Sequence, residues 1–273
     1  MMTESLENNM TDRIKNTFDT LAERGEKPFI AYIMAGDPCI EKTQVYVEAL
    51  ISGGADIIEI GMPFSDPIAD GPTIQKAAQR ALQSKTNITK ILTLVGDIRK
   101  TYGIPVILMG YINPVLKYGV GRFFKDAAHN GVDGVILPDL PLEEINIVKR
   151  YAEQSGIDII LLAAPTSDRK RLLELSKHTR GFLYYISMTG VTGSAKKIGS
   201  KVFDSIKWIK RRTKKPVVVG FGISTPQQAA MVSRIADGIV VGSAFIKLVE
   251  KSEDAREQLK ALAHELKVAI SEK

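Results

Sequence analysis

Eight short apolar runs, rich in valine and isoleucine, alternate with helical patterns along this 273-residue chain. Strands buried on both faces appear as continuous apolar runs, and their alternation with helices indicates parallel pairing. Eight such units predict an α/β protein with a closed (β/α)₈ barrel, and a doubly wound open sheet is the structural alternative. The runs are Phe29–Ala35, Ala55–Ile60, Pro105–Tyr111, Gly134–Pro138, Asp158–Ala164, Phe182–Ser187, Pro216–Gly220 and Asp237–Val241.

The helical segments have their own boundary signals. Ser224-Thr225-Pro226 supplies a cap followed by a proline at the first helical position. An additional N-terminal helix is expected from about Thr11, with an apolar side suited to covering one end of the barrel. We therefore expect a disordered segment over residues 1–10 and a single barrel domain over residues 11–273, with extra helices in the βα loops.

Composition is that of an ordinary globular protein, with 44% hydrophobic and 25% charged residues. No apolar run reaches membrane-spanning length, so no membrane partner is expected. The first ten residues lack the basic and apolar segments of a signal peptide, and Cys39 has no second cysteine to pair with. These features predict a cytoplasmic protein.

A net charge of +6 raises the question of nucleic-acid binding, and Lys207 to Lys215 form the densest basic cluster. Ile206, just before the cluster, and Ile209, within it, lie three residues apart, which is typical of a helix with one buried side. We interpret the basic residues as the solvated face of that helix, since no nucleic-acid motif accompanies them.

Two carboxylates stand out near the second predicted strand. Glu59 ends an apolar run in which Ile58 and Ile60 face the opposite side, and Asp70 follows in a loop rich in glycine and proline. A buried carboxylate is usually paired or chemically useful, whereas an edge-strand glutamate in water is the ordinary alternative. Because barrel active sites lie at the C-terminal ends of the strands, both residues are candidates. Other candidates from strands three, four and six are Tyr111, Asn113, Asp139 and Tyr184.

Glycines at three further strand ends indicate an anion site. Gly190 to Gly193 follow the sixth predicted strand, Gly220 to Gly222 end the seventh, and Gly242-Ser243 follows the eighth. Glycines let backbone N–H groups approach an anion, and a helix N-terminus adds partial positive charge. The loops after strands seven and eight are a common phosphate site in such barrels, so a phosphate ester is expected there.

Metal and cofactor chemistry is not indicated. The three histidines, His129, His178 and His264, fall in helical segments away from the strand ends, and no strand-end lysine suggests a Schiff base. We therefore expect no metal and no cofactor.

Four motifs, IEIGMPFSDPIADGPTIQ, SMTGVTG, GFGIS and VVGSA, resemble those of the tryptophan synthase α subunit. The resemblance extends from about Thr11 to the C-terminal helix. It implies a TIM barrel that cleaves indole-3-glycerol phosphate to indole and glyceraldehyde 3-phosphate without a cofactor of its own. It also implies a pyridoxal-phosphate-dependent β subunit as partner, in an α2β2 heterotetramer.

The resemblance also implies individual roles. It makes Glu59 the group that moves protons at indole C3 and the glycerol hydroxyl, and Asp70 the acceptor of the indole N–H. The implied substrate contacts are Tyr111, Tyr184, Thr192 and Phe221, and the implied phosphate contacts are Gly193, Gly222, Gly242 and Ser243. Asp66 and Asp139 match positions that contact the β subunit.

Two positions depart from the family pattern. Met188 replaces an arginine that many members have after strand six, and Met34 stands where threonine is common. Two functional alternatives are a stand-alone lyase that releases free indole and a non-catalytic barrel that binds a sugar phosphate or regulates a partner. The presence of both Glu59 and Asp70 argues against the non-catalytic alternative.

Overall fold

A single nine-stranded parallel sheet forms the centre of the molecule, and the computed structural model describes residues 12–186, 200–220 and 222–271. The expected disordered segment of residues 1–10 lies outside the described residues. The strands are β1 (Phe29–Met34), β2 (Ile57–Gly61), β3 (Val106–Met109), β4 (Gly134–Ile136), β5 (Asp158–Ile159), β6 (Leu161–Ala163), β7 (Leu183–Ile186), β8 (Val217–Gly220) and β9 (Gly238–Val241).

The barrel closes through the fifth predicted apolar run, which the structure divides into β5 and β6. The sheet order is β5-β4-β3-β2-β1-β9-β8-β7-β6, so its two ends are separated along the chain only by Ile160. β5 pairs with β4, and β6 pairs with β7. One continuous segment therefore joins both ends of the sheet. The predicted (β/α)₈ barrel is confirmed, and the open doubly wound sheet is wrong.

Twelve α-helices surround the sheet within the described part of the chain, and two connections, β2 to β3 and β3 to β4, hold two helices each, in agreement with the expected extra helices. No described helix is long and apolar enough to span a bilayer. The helices are α1 (Arg13–Glu23), α2 (Ile40–Ser52), α3 (Pro72–Gln83), α4 (Ile88–Thr101), α5 (Ile112–Tyr118), α6 (Val120–His129), α7 (Asn146–Ser155), α8 (Arg169–His178), α9 (Ser200–Lys210), α10 (Pro226–Ser233), α11 (Ser243–Lys251) and α12 (Arg256–Ser271), and a short 3₁₀ turn covers Leu142–Glu144.

Helix α1 is the predicted additional N-terminal helix. The Asp12 side chain accepts a hydrogen bond from the Lys15 N–H and caps it. Ile14, Phe18 and Leu21 are buried along one side, and Phe18 packs on Phe182 at the start of β7, with ring centroids 5.7 Å apart. The helix therefore covers the N-terminal end of the barrel.

Two other local predictions are confirmed. Thr225 and Gln228 form a reciprocal capping box at the start of α10. In α9, Ile206 and Ile209 are fully buried, so Lys207 and Lys210 lie on the outer side of a packed helix, whereas the rest of the basic cluster follows the end of that helix.

Aspartates at the start of three strands fix the N-terminal face of the barrel. Asp56, Asp133 and Asp237 each accept a hydrogen bond from a backbone N–H of a neighbouring strand, at 2.7–2.8 Å. Each also pairs with a cation, and Asp133 pairs with both Arg13 and Arg99. These pairs, which range from buried to about one-third exposed, lie at the end of the barrel that typically serves stability rather than chemistry.

Candidate active site

A cavity opens at the C-terminal ends of the strands and encloses about 410 Å³ of free space, including its mouth. It contains both predicted carboxylates and residues from the predicted phosphate loops. The lining residues are Tyr32, Glu59, Asp70, Ile74, Met109, Tyr184, Gly222, Ile223, Val240, Gly242 and Ser243.

Glu59 is the third residue of β2 and faces the barrel interior, in register with Tyr32 of β1. Its side chain is fully buried, and neither carboxylate oxygen has a hydrogen-bond partner among the residues that the structure describes. Burial, together with the nearby charge of Asp70, raises the pKa of Glu59 to about 8. A carboxyl group in this state holds a proton at neutral pH and can release it, which suits a general acid that later acts as a base.

Asp70 approaches the cavity from the loop between β2 and α3. The Tyr111 phenol donates a hydrogen bond to Asp70 Oδ2 at 3.0 Å and accepts one from the Ala69 N–H at 3.0 Å. The Gln75 side chain donates to the backbone oxygen of Asp70 at 2.9 Å, which fixes the loop from its other side. Burial raises the pKa of Asp70 to about 6, and the Tyr111 hydrogen bond opposes that rise. Asp70 is therefore ionised at neutral pH while Glu59 is protonated.

Two tyrosines occupy space that glycines leave open at the strand ends. A Cβ atom on Gly61 would lie 2.2 Å from the Tyr32 hydroxyl, and one on Gly220 would lie 2.4 Å from the Tyr184 hydroxyl. Gly61 and Gly220 end β2 and β8, so each tyrosine lies over the last residue of a neighbouring strand. Tyr184 was predicted as a site residue. Tyr32 was not, although its in-register position beside Glu59 could have indicated it.

The other end of the cavity has the character of an anion site. Helix α11 begins at Ser243, and its cap residue Gly242 provides no side-chain hydrogen bond to the first turn. A Cβ on Gly242 would lie 2.9 Å from the Tyr32 ring, so only glycine leaves this position open. Gly222 has a φ of 85°, which favours glycine. The cavity therefore has two carboxyl groups at one end and, at the other, a helix N-terminus whose backbone N–H groups are not covered by side chains.

The remaining predicted site residues fall into three groups. Thr192, Gly193 and Phe221 lie outside the described residues, as does Met188. Tyr111 does not line the cavity and instead holds Asp70. Asp66 and Asp139 lie outside the cavity, where Asp66 accepts a hydrogen bond from Ser65 and Asp139 accepts one from the Ile112 N–H at the start of α5.

Several apolar residues of the cavity were also missed. They are Ile74, Met109, Ile223 and Val240, and nothing in the sequence separates them from core residues of the same type. Met34, which departs from the family pattern, is buried at the end of β1 and does not line the cavity.

Across residues 12–186, 200–220 and 222–271, no group of three or more histidine, cysteine or carboxylate side chains could hold a metal ion. The histidines lie in α6, α8 and α12, as predicted.

Comparison with known proteins agrees with this geometry. The family model described as tryptophan synthase alpha chain matches residues 18–271. The tryptophan synthase alpha chain of Geotalea uraniireducens is 48% identical over 94% of this chain and 97% of its own length. That of Methanosarcina barkeri is 45% identical, with coverages of 94% and 97%.

Solved structures give the same result. The tryptophan synthase alpha chain from Legionella pneumophila aligns with a TM-score of 0.87 at 39% identity, covering 95% of this chain and 97% of that one. A tryptophan synthase chain from M. tuberculosis aligns with a TM-score of 0.86 at 32% identity, with coverages of 95% and 99%. This chain belongs to the tryptophan synthase alpha chain family.

Proposed function

We propose that Glu59 and Asp70 carry the reaction that this family catalyses, the cleavage of indole-3-glycerol phosphate to indole and glyceraldehyde 3-phosphate. The observation that carries this assignment is the contrast between two neighbouring carboxyl groups in one cavity. Glu59 is fully buried with a pKa raised to about 8, whereas Asp70 is held by Tyr111 with a pKa of about 6. One is poised to give a proton and the other to remain charged.

The reaction is a retro-aldol cleavage, and indole is a poor carbanion leaving group. Glu59 gives its proton to indole C3, which places a positive charge on the C2=N1 unit. The ionised Glu59 then takes the proton of the adjacent glycerol hydroxyl. As that carbon becomes the aldehyde, the electrons of the broken C–C bond restore the C2=C3 bond of indole. A single group thus acts first as acid and then as base.

Asp70 stabilises the charged intermediate. Its carboxylate accepts a hydrogen bond from the indole N–H and offsets the positive charge that protonation of C3 creates. Tyr111 acts through Asp70 by fixing both its side chain and its loop. This role requires Asp70 to stay ionised, which its hydrogen bond favours.

The substrate phosphate binds at the opposite end of the cavity. Backbone N–H groups at Gly222, Gly242 and Ser243 meet the phosphate at the start of α11, and Gly193 contributes from the loop after β7. Tyr184 and Phe221 contact the substrate body. We assign Thr192 to the substrate contacts as well.

Indole passes from this chain to a pyridoxal-phosphate-dependent β subunit in an α2β2 assembly in the cytoplasm. Asp66, in the loop that carries Asp70, and Asp139, at the start of α5, form part of the contact with that subunit. Ile68, beside Asp66, is 83% exposed, which suits an apolar contact.

Indole release from indole-3-glycerol phosphate tests the assignment. Glu59→Gln keeps the shape of the side chain but cannot move a proton, and Asp70→Asn keeps a dipole but loses the charge. We expect each variant to lose at least about 100-fold in kcat, the lower end of the effect of an acid–base group, while still binding glycerol phosphate. Retention of more than about a third of the activity by Glu59→Gln would contradict the proton-transfer role. A wild-type chain that binds the substrate without cleaving it would support the non-catalytic alternative.

A further inference from the structure

Arg80, which lines no part of the cavity, joins three elements at the C-terminal face of the barrel. Its Nε and Nη2 atoms bind the two carboxylate oxygens of Asp37 at 2.7 and 2.8 Å. Its Nη1 atom lies 3.5 Å from Oε1 of Glu250. Asp37 follows β1, Arg80 belongs to α3, and Glu250 belongs to α11.

Of the two ion pairs that Arg80 makes, the one with Asp37 is rigid. The Asp37 carboxylate is fully buried, and the Arg80 fork binds it in the two-bond geometry that is specific to arginine. The backbone beside Asp37 is also tied to the end of α3, because the Ser84 hydroxyl donates to the Gly36 carbonyl at 2.9 Å. The C-terminal half of α3 is therefore fixed to the barrel.

The N-terminal half of α3 supports the proposed catalytic loop. The Gln75 side chain donates to the backbone oxygen of Asp70, and Ile74 lines the cavity. A helix moves as a rigid rod over such a short length. A small rotation of α3 at Arg80 would consequently displace both the Asp70 loop and the wall of the cavity.

Helix α11 links the same arginine to the phosphate end of the cavity. It begins at Ser243, packs against α3, and carries Glu250 in its last turn. The Glu250 carboxylate is about one-third exposed, so its contact with Arg80 can form or break with little desolvation cost. An anion bound at Ser243 would hold α11 and, through Glu250, would hold α3.

We propose that Arg80 is a positioning residue through which an occupied phosphate site orders Asp70 for catalysis. The inference rests on the proposed function and deepens it. The phosphate group of the substrate does more than anchor it: its binding energy is used to place Asp70, which appears as a higher kcat rather than only a lower KM. Inorganic phosphate bound at the same site should likewise raise kcat for a substrate that has no phosphate group.

The test compares indole-3-glycerol phosphate with unphosphorylated indole glycerol, with and without inorganic phosphate, and measures indole release. The chain is assayed in complex with the β subunit, in the absence of that subunit's second substrate. Glu250→Gln removes the contact of α11 with Arg80 and the 4.0 Å contact with Lys76, which also belongs to α3, and leaves the Asp37 pair in place. Glu253→Gln is the matched control, since Glu253 is exposed and makes no ion pair within the described residues. Arg80→Lys keeps a charge beside Asp37 but cannot span both carboxylates.

In the wild type, inorganic phosphate should accelerate cleavage of indole glycerol at least about threefold, within the range of measured couplings between linked sites. Glu250→Gln should lose most of this activation and about three- to tenfold in kcat for the phosphorylated substrate. Its cleavage of indole glycerol without phosphate should be unchanged. Arg80→Lys should also lose most of the activation, and it should slow cleavage without phosphate as well, because it weakens the Asp37 anchor of α3. Glu253→Gln should match the wild type.

Three results would overturn the inference while leaving the proposed function intact. The first is a wild type that cleaves the phosphorylated substrate but shows no activation by phosphate. The second is a Glu250→Gln variant that keeps the activation. The third is a Glu250→Gln variant whose kcat falls equally for the phosphorylated and the unphosphorylated substrate. A wild type that cleaves neither substrate would instead refute the proposed function and, with it, the role of Arg80.

Discussion

The Tyr111 phenol oxygen lies 3.0 Å from Asp70 Oδ2, and this hydrogen bond opposes the rise that burial causes in the pKa of Asp70. Burial raises the pKa of both Glu59 and Asp70. Only Asp70 has a donor among the described residues, and that donor stabilises its ionised form. The same bond fixes the loop that presents Asp70. The deeper burial of Glu59, the nearby charge of Asp70 and the Tyr111 hydrogen bond together keep Glu59 protonated and Asp70 ionised in one cavity.

The first prediction concerns the pH dependence of cleavage. The proposed mechanism needs ionised Asp70, with a pKa of about 6, and protonated Glu59, with a pKa of about 8. A plot of kcat/KM against pH should therefore rise through about 6 and fall through about 8, since it reports the free enzyme. Steady-state rates between about pH 5 and pH 9 would measure both limbs. A rate that keeps rising above the pKa of Glu59 would contradict its role as the acid.

The second prediction isolates the Tyr111 hydrogen bond. Tyr111→Phe removes the donor that lowers the pKa of Asp70, so the acidic limb should move to higher pH by about one to two units. Tyr46→Phe is the matched control, because the buried Tyr46 hydroxyl has no hydrogen-bond partner in the described structure. The control should keep the wild-type profile. Equal profiles for both variants would mean that Tyr111 does not set the charge of Asp70.

The third prediction links Glu59 to stability. Its pKa rises from 4.5 to about 8 on folding, so the folded state binds more protons between these values. The stabilising contribution of the protonated group is complete below about pH 4.5 and is lost as pH rises through 8. The free energy of unfolding of Glu59→Gln, relative to the wild type, should increase over this window by on the order of 4 kcal/mol. Urea denaturation at several pH values measures it, with Glu253→Gln as a control that should show no such trend.

The fourth prediction tests the phosphate end. Ser243→Asp places a negative charge at the start of α11, where the proposed phosphate binds. Repulsion should weaken binding of glycerol phosphate at least about tenfold, equivalent to roughly 1.4 kcal/mol. Calorimetric titration measures the dissociation constant, and a thermal melt checks that the fold is intact. An unchanged dissociation constant would show that the phosphate does not bind at the start of α11.

Much of this site could be predicted because barrel topology converts chain order into position. Strand alternation separates Glu59 from Ile58 and Ile60, and parallel pairing brings the ends of β2, β8 and β9 to one face, where Glu59 lies inside the barrel. Asp70 follows a strand by nine residues, so its place in the cavity came from the motif rather than from periodicity.

Other features depend on contacts that no local pattern encodes. The division of the fifth run at Ile160 reflects a change of neighbour, from β4 to β7, within a sequence that is uniformly apolar from Ile159 onward. Tyr32 is an ordinary strand residue until Gly61 and Gly242 are placed around its ring. The different pKa values of the two carboxyl groups depend on burial and on Tyr111, which lies 41 residues from Asp70.

The last prediction is that this chain is fully active only with its β subunit, through the loop from Pro63 to Thr73. That loop holds Asp70 near one end and exposes Ile68 and Asp66 to solvent. A partner that contacts this surface would order the loop and place Asp70 before the substrate arrives, without adding a catalytic group. The β subunit should raise indole release at least about tenfold, equivalent to roughly 1.4 kcal/mol at the transition state. Asp66→Ala should remove most of that increase and leave the rate of the isolated chain unchanged. Equal rates with and without the β subunit, under conditions where sedimentation shows the complex, would favour the stand-alone lyase.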